Sequence, residues 1–310
     1  MKKILLLILL LPLYMSAQTA KNYFKQGNQK LDSAQYTDAV ICYSHAIILD
    51  SVYVEAYMAR VKAKFFLKDY KGAIEDLDKV TTLKPNDAEA YIARGRAKYF
   101  LKDYNGVIDD CTKLISYQPT NTAAYINRAV AKQSTKDYTG AIQDYTTAII
   151  IGDDNKWSYY NNRGILKNQI KDNAGAMDDF SKSIELKPSI AAYKNRALGK
   201  IKEKDFKGAI EDYTAAISFI SHSRTTPNDK AKAGIYQEIG DAKQSYGDFD
   251  GALEAYDQAL SLDATSAKAY SGRGDIKNHK GDKEGACTDW NTAVNLGYKT
   301  AINQINKFCK

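Results

Sequence analysis

The feature that most constrains this chain is a tyrosine that returns about every 34 residues. It stands at Tyr23, Tyr57, Tyr91, Tyr125, Tyr160, Tyr193, Tyr236 and Tyr270. The first four are spaced by 34 residues each, and the later ones depart from that spacing by small insertions and one deletion. A fixed period of this length is typical of a chain that stacks one supersecondary unit many times. Each unit must pack on its neighbours, because it cannot bury its apolar face alone.

When the tyrosine is numbered as position four, the chain divides into eight repeats. They are residues 20–53, 54–87, 88–121, 122–155, 157–189, 190–223, 233–266 and 267–300. Position eight is Gly or Ala in every repeat except the second, which has Val61. Residues 224–232 are predicted to be an insertion that forms a loop or a helix extension. Residues 301–310 are predicted to be a short amphipathic cap over the last repeat.

Within each repeat the residues indicate two helices joined by a short turn. The turn carries Lys-Asp-Tyr, as in Lys68 to Tyr70, and the second helix follows at Gly72. Pro85, Pro119 and Pro188 end three of the repeats, since proline cannot continue a helix. Small residues at position eight allow the two helices to approach closely. The repeat is therefore predicted to be a helical hairpin.

This pattern resembles the tetratricopeptide repeat family, of a secreted bacterial type, over residues 20–300. The resemblance rests on Tyr at position four, Gly or Ala at eight, an aromatic residue at seventeen, Ala at twenty and the terminal prolines. It implies an all-α fold, a right-handed α-solenoid of about eight helix pairs with a short C-terminal capping helix. It also implies that the first helix of each pair lines the concave face, and that the protein is an interaction scaffold for a protein or peptide.

The first seventeen residues have the features of a secretory signal peptide. Lys2 and Lys3 form a positive start, an apolar run extends from Ile4 to Tyr14, and Ser16 and Ala17 are small. A membrane anchor is the alternative, but the run is shorter than the roughly 20 residues that span a bilayer. We expect residues 1–17 to be removed, leaving a solenoid of residues 18–310 that is periplasmic or secreted. No stable membrane span is expected.

Composition and motifs argue against most other classes of function. Lys and Arg number 44 and Asp and Glu 37, a net charge of +7 that does not mark a nucleic-acid-binding protein. His45, His222 and His279 lack the spacing of metal ligands, and no phosphate-binding or dinucleotide-binding loop is present. We therefore predict no enzyme, cofactor or metal. An envelope glycan- or wall-binding module and a helical-repeat enzyme with an unrecognised site remain alternatives, and the oligomeric state stays open.

Position seven and position twenty-three carry opposite charges in the same six repeats. The pairs are Arg60 with Asp76, Arg94 with Asp110, Arg128 with Asp144, Arg163 with Asp179, Arg196 with Asp212, and Arg273 with Asp289. The first and seventh repeats lack both members. This joint presence and absence predicts contact, within a repeat or across to its neighbour, with Lys at position eleven sharing the carboxylate. A charged ligand groove is the alternative.

Two of the four cysteines are candidates for a disulfide. Cys287 precedes the turn at Gly297 by ten residues, and Cys309 follows it by twelve. If the last helix folds back, the two side chains reach matching heights. An oxidising compartment would then allow the bond. Two packed free thiols are the alternative, and Cys42 and Cys111 are predicted to be too far apart to pair.

Positions two, five, nine and twelve of the first helix form one stripe, which is apolar in the early repeats and polar in the fifth, seventh and eighth. A stripe needed only for packing would look alike in every repeat, so this asymmetry predicts a partner-binding groove in the N-terminal half. Its predicted residues are Phe24, Met58, Lys62, Phe65, Phe66, Ile92, Arg96, Tyr99, Phe100 and Ile126. Burial of these side chains between neighbouring helices is the alternative.

Overall fold

A computed structural model describes residues 18–152, 154–222 and 229–309. The predicted signal peptide lies outside these residues. The described residues form two compact units, one up to residue 152 and the other from residue 154. Apart from one 3₁₀ turn, the regular structure of the described residues is α-helical throughout, as the repeat pattern predicts. Among these residues, no helix is both long enough and apolar enough to cross a membrane.

In the first unit, residues 18–152 form eight helices that follow the repeat period. Helix α1 covers residues 18–32. The others are α2 (Tyr36–Leu49), α3 (Val54–Phe66), α4 (Tyr70–Leu83), α5 (Ala88–Phe100), α6 (Tyr104–Tyr117), α7 (Thr122–Ser134) and α8 (Tyr138–Ile151). Successive helices from α2 to α8 pack against each other, so that each repeat is a helical hairpin stacked on the next.

The second unit continues the same plan. Its helices are α9 (Lys156–Gln169), α10 (Asn173–Leu186), α11 (Ile190–Lys202), α12 (Phe206–His222), α13 (Asp229–Tyr246), α14 (Phe249–Leu262), α15 (Ala267–His279), α16 (Lys283–Asn295) and α17 (Ile302–Phe308). Of the predicted insertion, residues 229–232 form the start of α13, and residues 224–228 lie outside the described residues.

The turn inside each repeat is built by its own side chains. In the second repeat the Asp69 carboxylate caps α4 by accepting a hydrogen bond from the Gly72 backbone N–H at 3.0 Å. The preceding Lys68 has a φ of +58°, the left-handed conformation that ends α3. Gly281 fills the corresponding place in the last repeat, where φ is +90°. This capping pattern recurs at the turn in seven of the eight repeats.

The predicted contact between Arg at position seven and Asp at position twenty-three is confirmed in all six repeats, and each pair lies within one repeat. We call this series of pairs the Arg–Asp ladder. In five of the six pairs an arginine Nη2 lies 2.6–2.7 Å from the carboxylate, and Arg60 pairs with Asp76 in the same way. Lysine at position eleven lies 2.8–3.0 Å from the other carboxylate oxygen in all six repeats. The carboxylates are only 2–5% exposed. A carboxylate buried to this extent needs such partners, because an unpaired buried charge is strongly destabilising.

The same arginines also connect consecutive repeats. The Nη1 of Arg94 lies 2.7 Å from Asp78 on the second helix of the preceding repeat. Arg273 makes the same contact with Asp257 at 2.7 Å. Hydrogen bonds to both carboxylates raise the pKa of Arg273, against the effect of its burial. Each guanidinium thus fixes its own hairpin and, in these repeats, the junction before it.

The core between the two helices of a repeat is filled by position twenty-four. This residue is at most 3% exposed in every repeat: Tyr43, Leu77, Cys111, Tyr145, Phe180, Tyr213, Tyr256 and Trp290. In the second and fifth repeats its size is complementary to that of position eight. A Cβ placed on Gly164 would lie 2.7 Å from the Phe180 ring, whereas the larger Val61 shares a core cluster with the smaller Leu77. The second repeat thus combines a larger residue at position eight with a smaller one at position twenty-four, whereas the third combines Gly95 with the small Cys111.

Gly164→Val is expected to lower the free energy of unfolding by about 1–3 kcal/mol, because the added side chain overpacks the core against Phe180. Urea denaturation followed by circular dichroism measures the change. Gly234→Val on α13 is the control, since a Cβ there meets no atom within 4 Å. The double variant Gly164→Val/Phe180→Leu reproduces the pair of the second repeat and should recover part of the loss. No recovery would show that the two positions are not matched in size.

The C-terminal helix α17 packs on the last repeat. Ile305 lies against the cluster that contains Trp290, and the Phe308 ring stacks with its centroid 5.8 Å from that of Trp290. Cys287 and Cys309 form a disulfide with their Cα atoms 5.7 Å apart. Cys42 and Cys111 are free thiols. The cap is therefore held both by apolar contact and by a covalent bond.

Candidate functional site

An open groove lies along α3 and α5, the first helices of the second and third repeats. We call it the α3–α5 groove, and its volume is about 480 Å³. Its lining residues are Met58, Val61, Lys62, Phe65, Phe66, Tyr70, Glu89, Ile92, Ala93, Arg96 and Phe100. The lining is mostly apolar and aromatic, which is the usual composition of a ligand-binding cleft.

Aromatic stacking holds the groove's rings in fixed positions. The Phe66 ring lies parallel to Tyr36 with centroids 4.4 Å apart, and Phe100 lies parallel to Tyr70 at 4.6 Å. Phe65 contacts Tyr70 edge to face at 5.6 Å. Phe66 nevertheless remains 55% exposed and Phe100 49% exposed. The groove therefore presents large apolar surfaces to solvent that are already ordered before any partner arrives.

The charged groups of the groove are mainly basic. Lys62 and Arg96 stand at position nine of successive repeats, and Glu89 is the one acidic residue in the lining. The Arg96 guanidinium lies 5.4 Å from the centre of the Phe65 ring and 6.0 Å from that of Phe100. These cation–π contacts orient Arg96 along the aromatic surface. A partner that combines an apolar side chain with an acidic group would complement this groove.

A second groove of about 370 Å³ adjoins the first and shares Ile92, Arg96 and Phe100 with it. It extends past Tyr99, which is 39% exposed, towards Asn127 and Val130 on α7. The two grooves together present a partly apolar path along three successive first helices. Such a path suits an extended segment better than a compact small molecule.

The structure brings eight of the ten predicted residues together in these two grooves. Phe24 lies apart from them, with its ring 5.8 Å from Tyr43 and 5.1 Å from Tyr53, packed beside the core of the first two repeats. Ile126 lines neither groove and packs at half-burial on α7. Both lie on the predicted stripe but outside the two grooves.

Sequence reasoning missed Tyr70, whose ring lines the groove while also packing on Phe65 and Phe100. Position seventeen is aromatic in most repeats, so the pattern marked Tyr70 as a structural residue. Its partner Phe100 at position thirteen carried the signal, because that position is aromatic only in the second and third repeats. In the described part of the chain, no group of three His, Cys, Asp or Glu side chains could hold a metal ion.

The fold and the open grooves define a helical-repeat solenoid of the kind that presents extended binding surfaces. Residues 54–87 match a family model described as tetratricopeptide repeat, and residues 240–281 match one described as TPR repeat. The chain therefore contains tetratricopeptide repeats, and its fold is that of a tetratricopeptide-repeat solenoid. A sequence comparison with curated proteins found no match.

Three solved structures illustrate the likeness in fold. The C-terminal part of a TPR repeat-containing protein from Cytophaga hutchinsonii has a TM-score of 0.67 and 18% identity, covering 80% of this chain and 98% of its own. YrrB, a TPR protein with an unusual peptide-binding site, has a TM-score of 0.52 and 18% identity. The match covers 63% of this chain and 97% of the YrrB chain. A chain of the APC/C hetero-tetramer Cut9–Hcn1 has a TM-score of 0.54 and 16% identity. The match covers 89% of this chain, which spans about half (53%) of the length of the matched chain.

Proposed function

We propose that this protein is a non-enzymatic interaction scaffold that binds an extended peptide segment of a protein partner along the α3–α5 groove. The observation that carries the proposal is the exposed, pre-ordered aromatic surface of Phe66 and Phe100. Position thirteen is polar or charged in the other six repeats, so packing of the solenoid does not require aromatic residues there. The peptide-binding site named for YrrB, a protein of the same fold, supports the same class of function.

The chemistry of the groove indicates the kind of peptide. An apolar or aromatic side chain would insert between Met58, Phe65 and Ile92, where it would be removed from water. An acidic residue or a terminal carboxylate of the same peptide would face Lys62 and Arg96. Binding would order little in the protein itself, because the rings are already stacked, and this reduces the entropic cost of association.

The glycan-binding alternative fits the same surface less well. Sugar recognition by aromatic residues needs an accessible ring face. One face of Phe66 is covered by Tyr36, and one face of Phe100 by Tyr70. Arg96 lies over Phe100 as well. Edges and partial faces remain, and these suit the side chains of a peptide.

Peptides selected from a random display library should lose at least about tenfold in affinity for the double variant Phe66→Ser/Phe100→Ser, because two aromatic side chains that the bound peptide would cover are removed. Fluorescence anisotropy with a labelled selected peptide measures the change, and circular dichroism checks that the helices persist. Ile150→Ser on α8 is the matched control, since Ile150 is 76% exposed and lies outside both grooves. Unchanged affinity in the double variant, or an equal loss in Ile150→Ser, would reject the site.

Export is a separate part of the proposal. We propose that residues 1–17 direct the protein out of the cytoplasm, to the periplasm or beyond. The Cys287–Cys309 disulfide is consistent with this, since disulfides persist mainly in oxidising compartments. N-terminal sequencing of the protein recovered from a cell-envelope or secreted fraction would test it. A chain that keeps residues 1–17 and stays in the cytoplasm would reject export.

A further inference from the structure

A polar cavity of about 210 Å³ lies in the second unit, along α13 and α15. These are the first helices of the seventh and eighth repeats, so the cavity occupies the same place in the repeat as the α3–α5 groove. Its lining is more polar: Gln244 stands at the position that Phe65 has in the groove, and Ser271 stands at the position of Ile92. We call it the α13–α15 pocket.

Position nine reverses its charge between the two sites. It supplies Lys62 and Arg96 to the α3–α5 groove, and Asp241 and Asp275 to the α13–α15 pocket. Lys268 also lines the pocket, so its formal charge is negative by one. The repeat architecture places this residue in front of a gap between first helices in both cases. Because the charge is reversed, the two sites favour ligand groups of opposite charge.

The two carboxylates are held in place but are not neutralised. Asp241 accepts hydrogen bonds from the Tyr256 hydroxyl at 2.7 Å and from the Gln237 amide at 2.9 Å, and Asp275 accepts one from the Trp290 indole N–H at 3.0 Å. Within the described residues, neither has a Lys, Arg or His nitrogen within 4 Å, unlike each aspartate of the ladder. Burial raises the pKa of Asp275, and the charge of Asp241 adds to this.

Ser271 gives an independent indication of a ligand. It lines the pocket from α15, and the residue is only 7% exposed. Its hydroxyl makes no hydrogen bond to any residue that the structure describes, so it is free to bond to a ligand in the pocket. A group that donates hydrogen bonds within the pocket would satisfy Ser271 together with the two carboxylates.

We propose that the α13–α15 pocket binds the guanidinium group of an arginine side chain from a partner. Guanidinium is a permanent cation with five N–H donors in a rigid plane, so it can reach acceptors on both helices at once. Lysine offers its three donors from a single point. A metal ion is disfavoured, because no group of three ligating side chains is present in the described residues. The pocket is independent of the α3–α5 groove, and its test does not involve that groove.

The probe is the capped tripeptide acetyl-Gly-Arg-Gly-amide, titrated into the full protein. Trp290 reports on the pocket, because its indole N–H is bonded to Asp275. The chain has two tryptophans, and Trp157→Phe assigns the two indole signals in a ¹H–¹⁵N spectrum. We expect the Trp290 signal to shift saturably with the arginine peptide. The same peptide with citrulline, which has nearly the same shape without the charge, should give no saturable shift.

Asp241→Asn and Asp275→Asn should each weaken binding of the arginine peptide by about tenfold or more, because each removes one charge-assisted partner. Asn at position 275 keeps a hydrogen-bond acceptor for the Trp290 indole. The two variants are tested separately, so that a local folding defect in one of them does not decide the result. Asp178→Asn, an exposed carboxylate on α10, is the matched control and should bind normally. Equal shifts with citrulline, equally tight binding of the lysine peptide, a similar response to calcium or magnesium chloride, or full binding by both variants would each overturn the proposal.

Discussion

Asp179→Ala is expected to lower the free energy of unfolding of the second unit by about 3–5 kcal/mol. Asp179 accepts from Arg163 at 2.7 Å and from Lys167 at 3.0 Å, and its carboxylate is only 2% exposed. Removal of the carboxylate leaves both partly buried cations without their shared partner. Arginine keeps its charge at any ordinary pH, so Arg163 cannot escape this penalty by losing its proton once Asp179 is gone. Urea denaturation of the wild type and the variant measures the difference.

Asp178→Ala provides a matched control, since Asp178 is the adjacent residue on α10 and is exposed. Its expected effect is within about 0.5 kcal/mol, as for most surface substitutions. The triple variant Arg163→Met/Lys167→Met/Asp179→Leu leaves no stranded charge and should be more stable than Asp179→Ala alone. If Asp178→Ala and Asp179→Ala cost the same, the ladder does not stabilise the repeat through its buried charges.

Reduction of the Cys287–Cys309 disulfide is expected to cost about 3 kcal/mol in the chain-entropy model, because the bond closes a segment of 22 residues. The main site of the loss should be α17, which contacts the last repeat through few apolar side chains. Urea denaturation with and without a reductant measures the free energy, and hydrogen exchange over residues 302–308 locates the change. The variant Cys287→Ser/Cys309→Ser should behave like the reduced protein and should not respond to reductant.

The free thiols give an internal control. Burial raises the pKa of the Cys111 thiol to about 12, so this residue should resist alkylation at neutral pH in the folded protein. Cys42 is only partly buried and should be the principal site of labelling before reduction. Labelling of Cys287 and Cys309 in native protein that has never been reduced would contradict the bond, as would a free energy of unfolding that does not change with reductant.

The sequence by itself determined the repeat, the helices and most of the turns between the two helices of a repeat. A period of 34 residues, with Asp and Gly at fixed positions in seven of the eight turns, is enough to predict helical hairpins, because capping depends on residues close in the chain. The ladder was also readable, since six repeats carry both Arg and Asp and two carry neither. Because the chain is periodic, the same position can be compared across eight repeats. Each comparison separated what every repeat needs from what only some repeats have.

Only the tertiary structure decided which side chains share a space. The match between Val61 and Leu77, the second contact of Arg94 with Asp78, and the burial of Phe24 beside Tyr43 all depend on distances between helices. The stripe of apolar residues indicated a face of the helices, but not where that face opens into a groove. Likewise, the sequence showed Asp241 and Asp275 only as two polar positions in different repeats, and the packing of α13 and α15 brings them into one pocket. The physical reason is that periodicity fixes the direction of a side chain from its own helix, whereas cavities and charge balance arise from what neighbouring helices leave unfilled.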